Sequence, residues 1–250
     1  MIDSAVHDTS KDRERCTAIV LAAGSGTRMG AAVRKQYLSL CGKPILAYCL
    51  ETFAASEVIT DIVIVVPEGE AEFVRQSVIS AAPAAKEKVR KIIPGGEQRY
   101  DSVHAGLQAI DWPCEYVFIH DGARPFIEEE ALQRLYLAVR AEGAAVAGMP
   151  SKDTVKIADR DHFVCSTPDR SCVWIIQTPQ VFSLELIRGA YEKLAGRLLQ
   201  DRSAGHGVTD DAMVLESETG HKVKLIEASY RNIKITTPED LLIAEAFLKS

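Results

Sequence analysis

The sequence predicts an α/β fold: a three-layer, mostly parallel sheet covered by helices, with a β-hairpin arm. Three observations carry this reading. Runs of Val, Ile and Ala without polar alternation recur along the chain, as strands covered on both faces require. Amphipathic stretches of helical length separate them, and such alternation builds a parallel sheet with right-handed crossovers. The pattern breaks once, between Ser151 and Trp174, where short β-prone pieces and turn formers replace it.

Strands are read at residues 17–22, 61–67, 89–93, 116–120 and 144–149. Helices are read at 44–55, 68–81, 101–110, 128–142, 184–196 and 238–248. Pro44 and Pro238 suit first-turn positions, and Thr237 is an expected N-cap with Asp240 three residues on. The interruption holds pieces at 154–157, 162–165 and 172–176 around Asp159-Arg160-Asp161, which reads as a hairpin leaving the main sheet. An isolated hairpin is marginally stable, so the arm needs a surface to pack on, and a second copy of the chain is the expected one. Residues 16–250 read as a single domain carrying this arm at about 151–174. Residues 1–15 are polar and of mixed charge, with no apolar core, and read as a frayed leader.

At 250 residues and 47% hydrophobic, the chain has ample material for one core. A net charge of -6 argues against nucleic acid or an anionic membrane as a partner. An anionic ligand must then be held by a local basic pocket. No apolar run approaches the ~20 residues that span a bilayer. Cys16, Cys41, Cys49, Cys114, Cys165 and Cys172 form no C-x-x-C pair and read as small apolar residues of a reducing, cytoplasmic protein.

The first strand runs into Leu21-Ala22-Ala23-Gly24-Ser25-Gly26-Thr27-Arg28-Met29-Gly30, with Lys35 beyond it. A small-residue loop after a buried strand lets main-chain N–H groups approach phosphates, and Arg28 and Lys35 add two cations. A Walker loop is excluded, because Gly42-Lys43 is followed by Pro44. A dinucleotide fingerprint is excluded, because Met29 stands at its third glycine position. Two more loops follow strand ends, Pro94-Gly95-Gly96-Glu97-Gln98-Arg99 and Asp121-Gly122-Ala123-Arg124-Pro125. Ligands of open α/β sheets sit at the carboxyl ends of strands, so the three loops are expected to share one site. His120, last in its strand, reads as a satisfied core histidine. Trp112 and Trp174 read as core or interface. Asp210 and Asp211 read as helix caps or substrate contacts.

Taken with Lys35-Gln36-Tyr37, Arg99-Tyr100-Asp101-Ser102, His120, Asp153-Thr154-Val155-Lys156, Gln177-Thr178-Pro179-Gln180, Thr209-Asp210 and the run from Asn232 to Asp240, these motifs recur in one order. From about Ala18 to Phe247 the chain resembles the 2-C-methyl-D-erythritol 4-phosphate cytidylyltransferases of the non-mevalonate isoprenoid pathway. The glycine loop alone is shared by many nucleotidyltransferases; the ensemble is specific. The resemblance implies a Rossmann-like nucleotidyltransferase fold, CTP and a polyol phosphate as ligands, Mg²⁺ as cofactor, and a homodimer joined through the arm.

It also implies roles position by position. Ala22, Ala23, Gly24 and Gly26 would wrap the triphosphate, with Arg28 and Lys35 on its phosphates. Gly96, Arg99 and Ser102 would surround cytosine and ribose, with Gly122 against the nucleotide. Asp121 would lie near Mg²⁺ and the substrate, and Arg124 would line the site. Thr154 and Arg170 would reach into the neighbouring subunit's site, where Arg170 positions methylerythritol phosphate. Thr209 and Lys234 would complete that phosphate's pocket. The sequence departs from the family pattern where Arg34 replaces a common Pro, adding a cation or loosening the loop. It departs again where Glu97 replaces a shorter acid and where Arg231 replaces an acid seen in some relatives. The alternative is a ribitol- or glycerol-phosphate cytidylyltransferase, which shares the glycine loop and the Asn-Ile-Lys segment. The Ser151–Lys156 and Asp121–Arg124 motifs favour the methylerythritol enzymes.

Overall fold

The computed structural model describes residues 14–24, 34–205 and 207–249. Gly26 and Arg28 lie outside them, as does the expected leader up to residue 13. Glu14 and Arg15 belong to the fold, not to a leader. Arg15 Nη2 donates to both carboxylate oxygens of Asp61 at 2.8 Å, and Glu14 takes Arg140 Nε at 2.7 Å and Tyr136 OH at 2.6 Å.

The chain enters on β1 (Cys16–Leu21), passes a small ladder of β2 (Ser39–Leu40) and β3 (Lys43–Pro44), and turns into α1 (Ile45–Ala55). Next come β4 (Asp61–Val66), α2 (Ala71–Phe73) with a π-helical continuation at Val74–Ile79, and β5 (Val89–Pro94). Then follow α3 (Arg99–Ala109), β6 (Tyr116–Asp121), α4 (Glu129–Glu142) and β7 (Ala144–Pro150). The arm carries β8 (Ile157–Ala158) and β9 (Val164–Ser166), and the chain returns on β10 (Trp174–Ser183). The rest is α5 (Leu184–Gln200), α6 (Asp211–Thr219), β11 (Lys224–Glu227) and α7 (Pro238–Lys249).

Seven strands form one sheet in the order β11-β7-β10-β6-β1-β4-β5. All neighbours are parallel except β10, which runs antiparallel between β6 and β7. Both faces are covered, which explains the apolar runs. Ala18, Val20, Ile62, Ile64 and Phe118 pack with Leu50 and Phe53 of α1 and Leu132 and Leu135 of α4. Their sequence neighbours Ile19, Val63, Val65, Val117 and Ile119 pack with Val103 and Leu107 of α3 and Tyr191 and Leu194 of α5. With side chains alternating along each strand, two helical layers need every position apolar.

Three differences from the sequence reading have physical causes. The helix expected from residue 68 starts at Ala71, because Gly69 at φ +80° and a Glu70 N–H to Pro67 carbonyl bond first make a turn. The helix expected from 101 starts at Arg99, where a capping box links Gln98 and Asp101. The piece expected at 172–176 extends through Ser183 into the main sheet. Pro179, which cannot donate to a ladder, falls where the β10–β7 register shifts between Ile176 and Gln180. At α7, Asp240 accepts from the Thr237 N–H at 2.9 Å, as expected of a capped start.

Candidate active site

The carboxyl ends of β1, β5 and β6 open onto one cleft of about 380 Å³, within the range of small-molecule sites. Ala22, Ala23, Gly24, Lys35, Gly96, Arg99, Ser102, Asp121 and Lys234 all line it. The three loops therefore do converge. Gly95 packs so closely that a Cβ there would sit 2.5 Å from Ala23 Cβ and 2.6 Å from Ser102 Oγ. Only glycine lets the β5 loop lie against the β1 loop. Ser102, at the buried end of α3, accepts the Gly96 N–H at 3.1 Å and fixes that loop.

Asp121 ends β6 and is almost buried. Lys234 Nζ lies 2.7 Å from Oδ2, and Arg99 Nε lies 3.5 Å from Oδ1. Burial alone would raise this carboxyl, but Arg99 and Lys234 outweigh it and hold it well below the usual carboxylate range. Arg99 faces a second acid as well. Its two Nη atoms meet the two oxygens of fully buried Asp211 at 2.8 Å, and Tyr191 OH donates to Asp211 at 2.6 Å. Burial would lower the Arg99 guanidinium; Asp211 and Asp121 instead raise it well above its ordinary value. Asp211 is thus the buried counter-ion of Arg99, not a cap or substrate contact. Asp210 is the cap of α6, accepting the Met213 N–H at 2.9 Å.

Lys234 is placed by a polar network that ties it to the sheet. Asn232 Nδ2 donates to Gln177 Oε1 at 3.0 Å and to the Thr178 carbonyl at 2.9 Å, and the Ile235 N–H bonds the Ala123 carbonyl at 2.9 Å. Gln36 does similar work at the other wall. It is buried, and its amide donates to the carbonyls of Ala22 and Gly24, bracing the residue after Lys35 against the loop. Gln36, Gln177 and Asn232 stand in the motifs of the sequence, which alone assigns them no role. Their signal was present, since amide side chains beside glycine-rich loops can satisfy main-chain groups.

Among the described residues no group of three or more His, Cys, Asp or Glu side chains could cage a metal ion. Mg²⁺ does not require one, since it is held by one or two carboxylates plus substrate phosphates. Asp121 fits that demand: among the described residues its Oδ1 meets Arg99 at the long distance of 3.5 Å.

The family model described as IspD, 2-C-methyl-D-erythritol 4-phosphate cytidylyltransferase, matches residues 16–250. The chain belongs to this family. A 2-C-methyl-D-erythritol 4-phosphate cytidylyltransferase from Lachnospira eligens is 47% identical over 233 residues, 93% of this chain and 99% of that protein. One of the same description from Geotalea uraniireducens is 45% identical over 238 residues, 94% of this chain and 97% of that protein. Among solved structures, the 4-diphosphocytidyl-2C-methyl-D-erythritol synthase of Anaerococcus prevotii superposes with a TM-score of 0.81 at 34% identity, covering 95% of this chain and 97% of that one. The Thermus thermophilus cytidylyltransferase gives 0.73 at 26%, covering 94% and 100%.

Other positions implied by the family resemblance lie outside the cleft lining. Gly122 faces inward, where a Cβ would meet Leu46 Cδ1 at 2.7 Å and the Leu21 carbonyl at 3.1 Å, so close packing fixes it as glycine. Arg124 turns its Nη1 to the Asn232 carbonyl at 2.8 Å. Thr209 is exposed beside Met213, 3.6 Å from its Sδ. Thr154 and Arg170 are exposed on the arm, and Arg170 Nη1 reaches the Lys152 carbonyl at 3.3 Å. The departures also find places. Arg34 pairs with Glu70 at 2.8 Å, and Arg231 lies 5.1 Å from the Phe247 ring, so neither joins the lining; Glu97 does.

Proposed function

We propose that this chain joins CTP and 2-C-methyl-D-erythritol 4-phosphate, giving 4-diphosphocytidyl-2-C-methyl-D-erythritol and pyrophosphate. The observation that carries the reading is the meeting of Lys35, Arg99, Lys234 and Asp121 in one cleft walled by Ala22, Ala23, Gly24 and Gly96. Family membership selects this pair of substrates over ribitol or glycerol phosphate.

A phosphate oxygen of the polyol substrate forms a bond to the α-phosphorus, and the bond from that phosphorus to the bridging oxygen breaks with its electron pair leaving on pyrophosphate. The nucleophile is already an anion, so no Ser, Cys or His nucleophile is required. The protein's task is to hold two polyanions together and neutralise their charge. Small residues of the β1 loop, with Gly26 and Arg28 beyond the described part, would receive the triphosphate beside Lys35. Gly96, Arg99 and Ser102 would frame the nucleoside, with Gly122 keeping the β6 turn against it. Lys234 would turn from Asp121 to the incoming phosphate, with Arg124 and Thr209 nearby. Mg²⁺ held by Asp121 would add positive charge on the phosphates of the bound nucleotide.

The second half of the proposal is a homodimer that exchanges arms. Ile157, Phe163 and Val164 are each more than half exposed, so the hairpin has apolar surface and belongs to none of the core clusters of the described residues. Thr154 and Arg170 ride on it and would serve the partner's cleft. No helix among the described residues is long and apolar enough to cross a membrane.

The test is pyrophosphate release from CTP, with and without Mg²⁺, offering methylerythritol, ribitol and glycerol phosphates in parallel. Metal-dependent turnover confined to the first is expected, and preference for ribitol phosphate would overturn the substrate assignment. Arg170→Ala should raise KM for methylerythritol phosphate roughly tenfold while CTP binding stays unchanged, as loss of one charge-assisted phosphate contact predicts. Equal loss of both would make the position structural.

A further inference from the structure

We propose that the open edge of β5 is a docking strand for an extended acidic segment of a partner protein, which would join the seven-stranded sheet as one strand more. The site lies outside the cleft and shares no lining residue with it. Among the described residues β5 pairs only with β4 and ends the sheet order, so its outer edge presents main-chain N–H and C=O groups with no strand beside them. An edge of this kind is a template for a further strand, whose main-chain hydrogen bonds give affinity while its side chains give specificity.

A groove of about 510 Å³ lies along β5, between the strand and the helical connection that leads to it from β4. Ile79 lines it from the π-helical turn and Pro83 from the 3-10 turn at Pro83–Glu87, with Val89 and Ile92 on the strand side. Val89 and Ile92 are only half-buried, so the floor is apolar and still meets water. The six residues of β5 offer about 20 Å of edge at ~3.3 Å per residue. Side chains alternate along an extended segment, so a partner can set every second one on this floor and the others toward the walls.

The walls decide the charge of that segment. Arg75 and Lys86 stand on the helical side, Arg90 and Lys91 on the strand side, and the described lining holds no Asp or Glu, in a chain of net charge -6. Nearby acids hold these cations unevenly. Glu72 lies 3.4 Å from Arg75 with both side chains more than half exposed, and Asp61 meets Arg90 at 3.3 Å while both its oxygens take Arg15 at 2.8 Å. Asp111 takes Lys91 at 2.7 Å, and Arg90 and Lys91 both lie 5.5 Å from the Trp112 ring, which keeps their heads at the strand. Lys86 is exposed and has no ion pair among the described residues. Arg75 and Lys86 are thus the cations that can turn to a ligand, since a long exposed pair such as Arg75–Glu72 adds little stability and is readily exchanged for a partner's carboxylate. A second copy of β5 is disfavoured as the occupant, because like charges of the two strands would face each other.

The probe is an acetylated, amidated heptapeptide of alternating Glu and Val, titrated calorimetrically into the full-length protein at low salt. We expect a Kd of roughly 10–100 µM, the weak binding of a small interface, and slowed hydrogen exchange of the β5 amides in the complex. Arg75→Glu combined with Lys86→Glu should weaken binding about tenfold and leave turnover unchanged, since neither residue lines the cleft. Strand addition has its own readout in the wild type, which decides the matter even if that variant does not fold. Successive residues of a strand turn their N–H groups to opposite sides, so peptides N-methylated at the Val or at the Glu positions should differ, one binding and the other not. Equal behaviour of the two would overturn the proposal, as would no binding of the unmodified peptide at about 1 mM. Tighter binding of inorganic tripolyphosphate, lost in the same variant, would make the groove a site for a small anion instead. Protection of β5 that grows with protein concentration, without peptide, would give the edge to a second copy.

Discussion

In the cleft, Asp121, Asp211 and Ser102 are buried and each is held by a named donor, whereas on the arm Ile157, Phe163 and Val164 stand 54%, 72% and 59% exposed. The two regions treat water in opposite ways. The body hides charge and neutralises it internally, because a buried carboxylate is tolerated only beside a cation. The hairpin shows apolar surface that none of the core clusters of the described residues covers. The difference teaches that the charges of the cleft find their partners within the subunit, while the arm offers the apolar surface on which the proposed dimer rests.

The largest effect should come from removing the charge on which the cleft is centred. Asp121→Asn keeps the shape but takes away the anion shared by Lys234 and Arg99, and we expect kcat to fall by ~10³. Steady-state rates with saturating CTP will show it. Retained activity would mean that the cleft needs only its cations.

Next is the buried counter-ion. Asp211→Asn leaves Arg99 facing an amide that cannot accept at both positions, and the unpaired guanidinium should cost about 3 kcal/mol of stability. Urea unfolding measures it. A change below about 0.5 kcal/mol, the scale of ordinary surface substitutions, would show that Arg99 is satisfied by water and Asp121 alone.

This pair also marks how far the sequence could be read. Five of the seven strands and the convergence of the three loops were legible, because covered strands are rich in Val and Ile and glycine-rich turns follow them. The partner of Arg99 was not, since Asp211 lies on another helix and its neighbour Asp210 offers the same side chain. Strand β10 was half hidden by Pro179, which reads as a strand breaker unless the register shift around it is known. Strand β11, four residues at the sheet edge, has no apolar run to announce it. In the site, Lys35, Arg99 and Asp121 were legible as charges beside glycine-rich loops, and Lys234 only through the family resemblance. The amides that aim them were not, because a hydrogen bond between distant segments leaves no periodic trace.

Burial of His120 gives a prediction of comparable size with a pH signature. The unfolded imidazole takes a proton near its ordinary 6.5, and the folded one only at about 4. Stability from this group is therefore complete above pH 6.5 and falls as pH drops toward 4, by about 3 kcal/mol in all. Asp121 also loses stability on acidification, but only below the ordinary carboxylate range, outside that window. Denaturant unfolding across pH 4 to 7 should show the slope in wild type and a shallower one in His120→Gln.

The smallest effect on the subunit, and the sharpest contrast with the cleft, belongs to the arm. Phe163→Ser with Val164→Ser removes two exposed apolar side chains from a hairpin that none of the three buried core clusters includes. Subunit stability should change by no more than about 0.5 kcal/mol, as for surface substitutions generally. Sedimentation should nevertheless show a weakened dimer, since those side chains have nothing else to cover. Activity then separates the roles of the two regions. If Arg170 serves the partner's cleft, turnover of the double variant should fall on dilution as dimers part, and return at high protein concentration. Turnover per subunit that is independent of concentration, in a protein that sediments as a monomer, would mean that the body alone completes the site and that the arm's cations act within their own subunit.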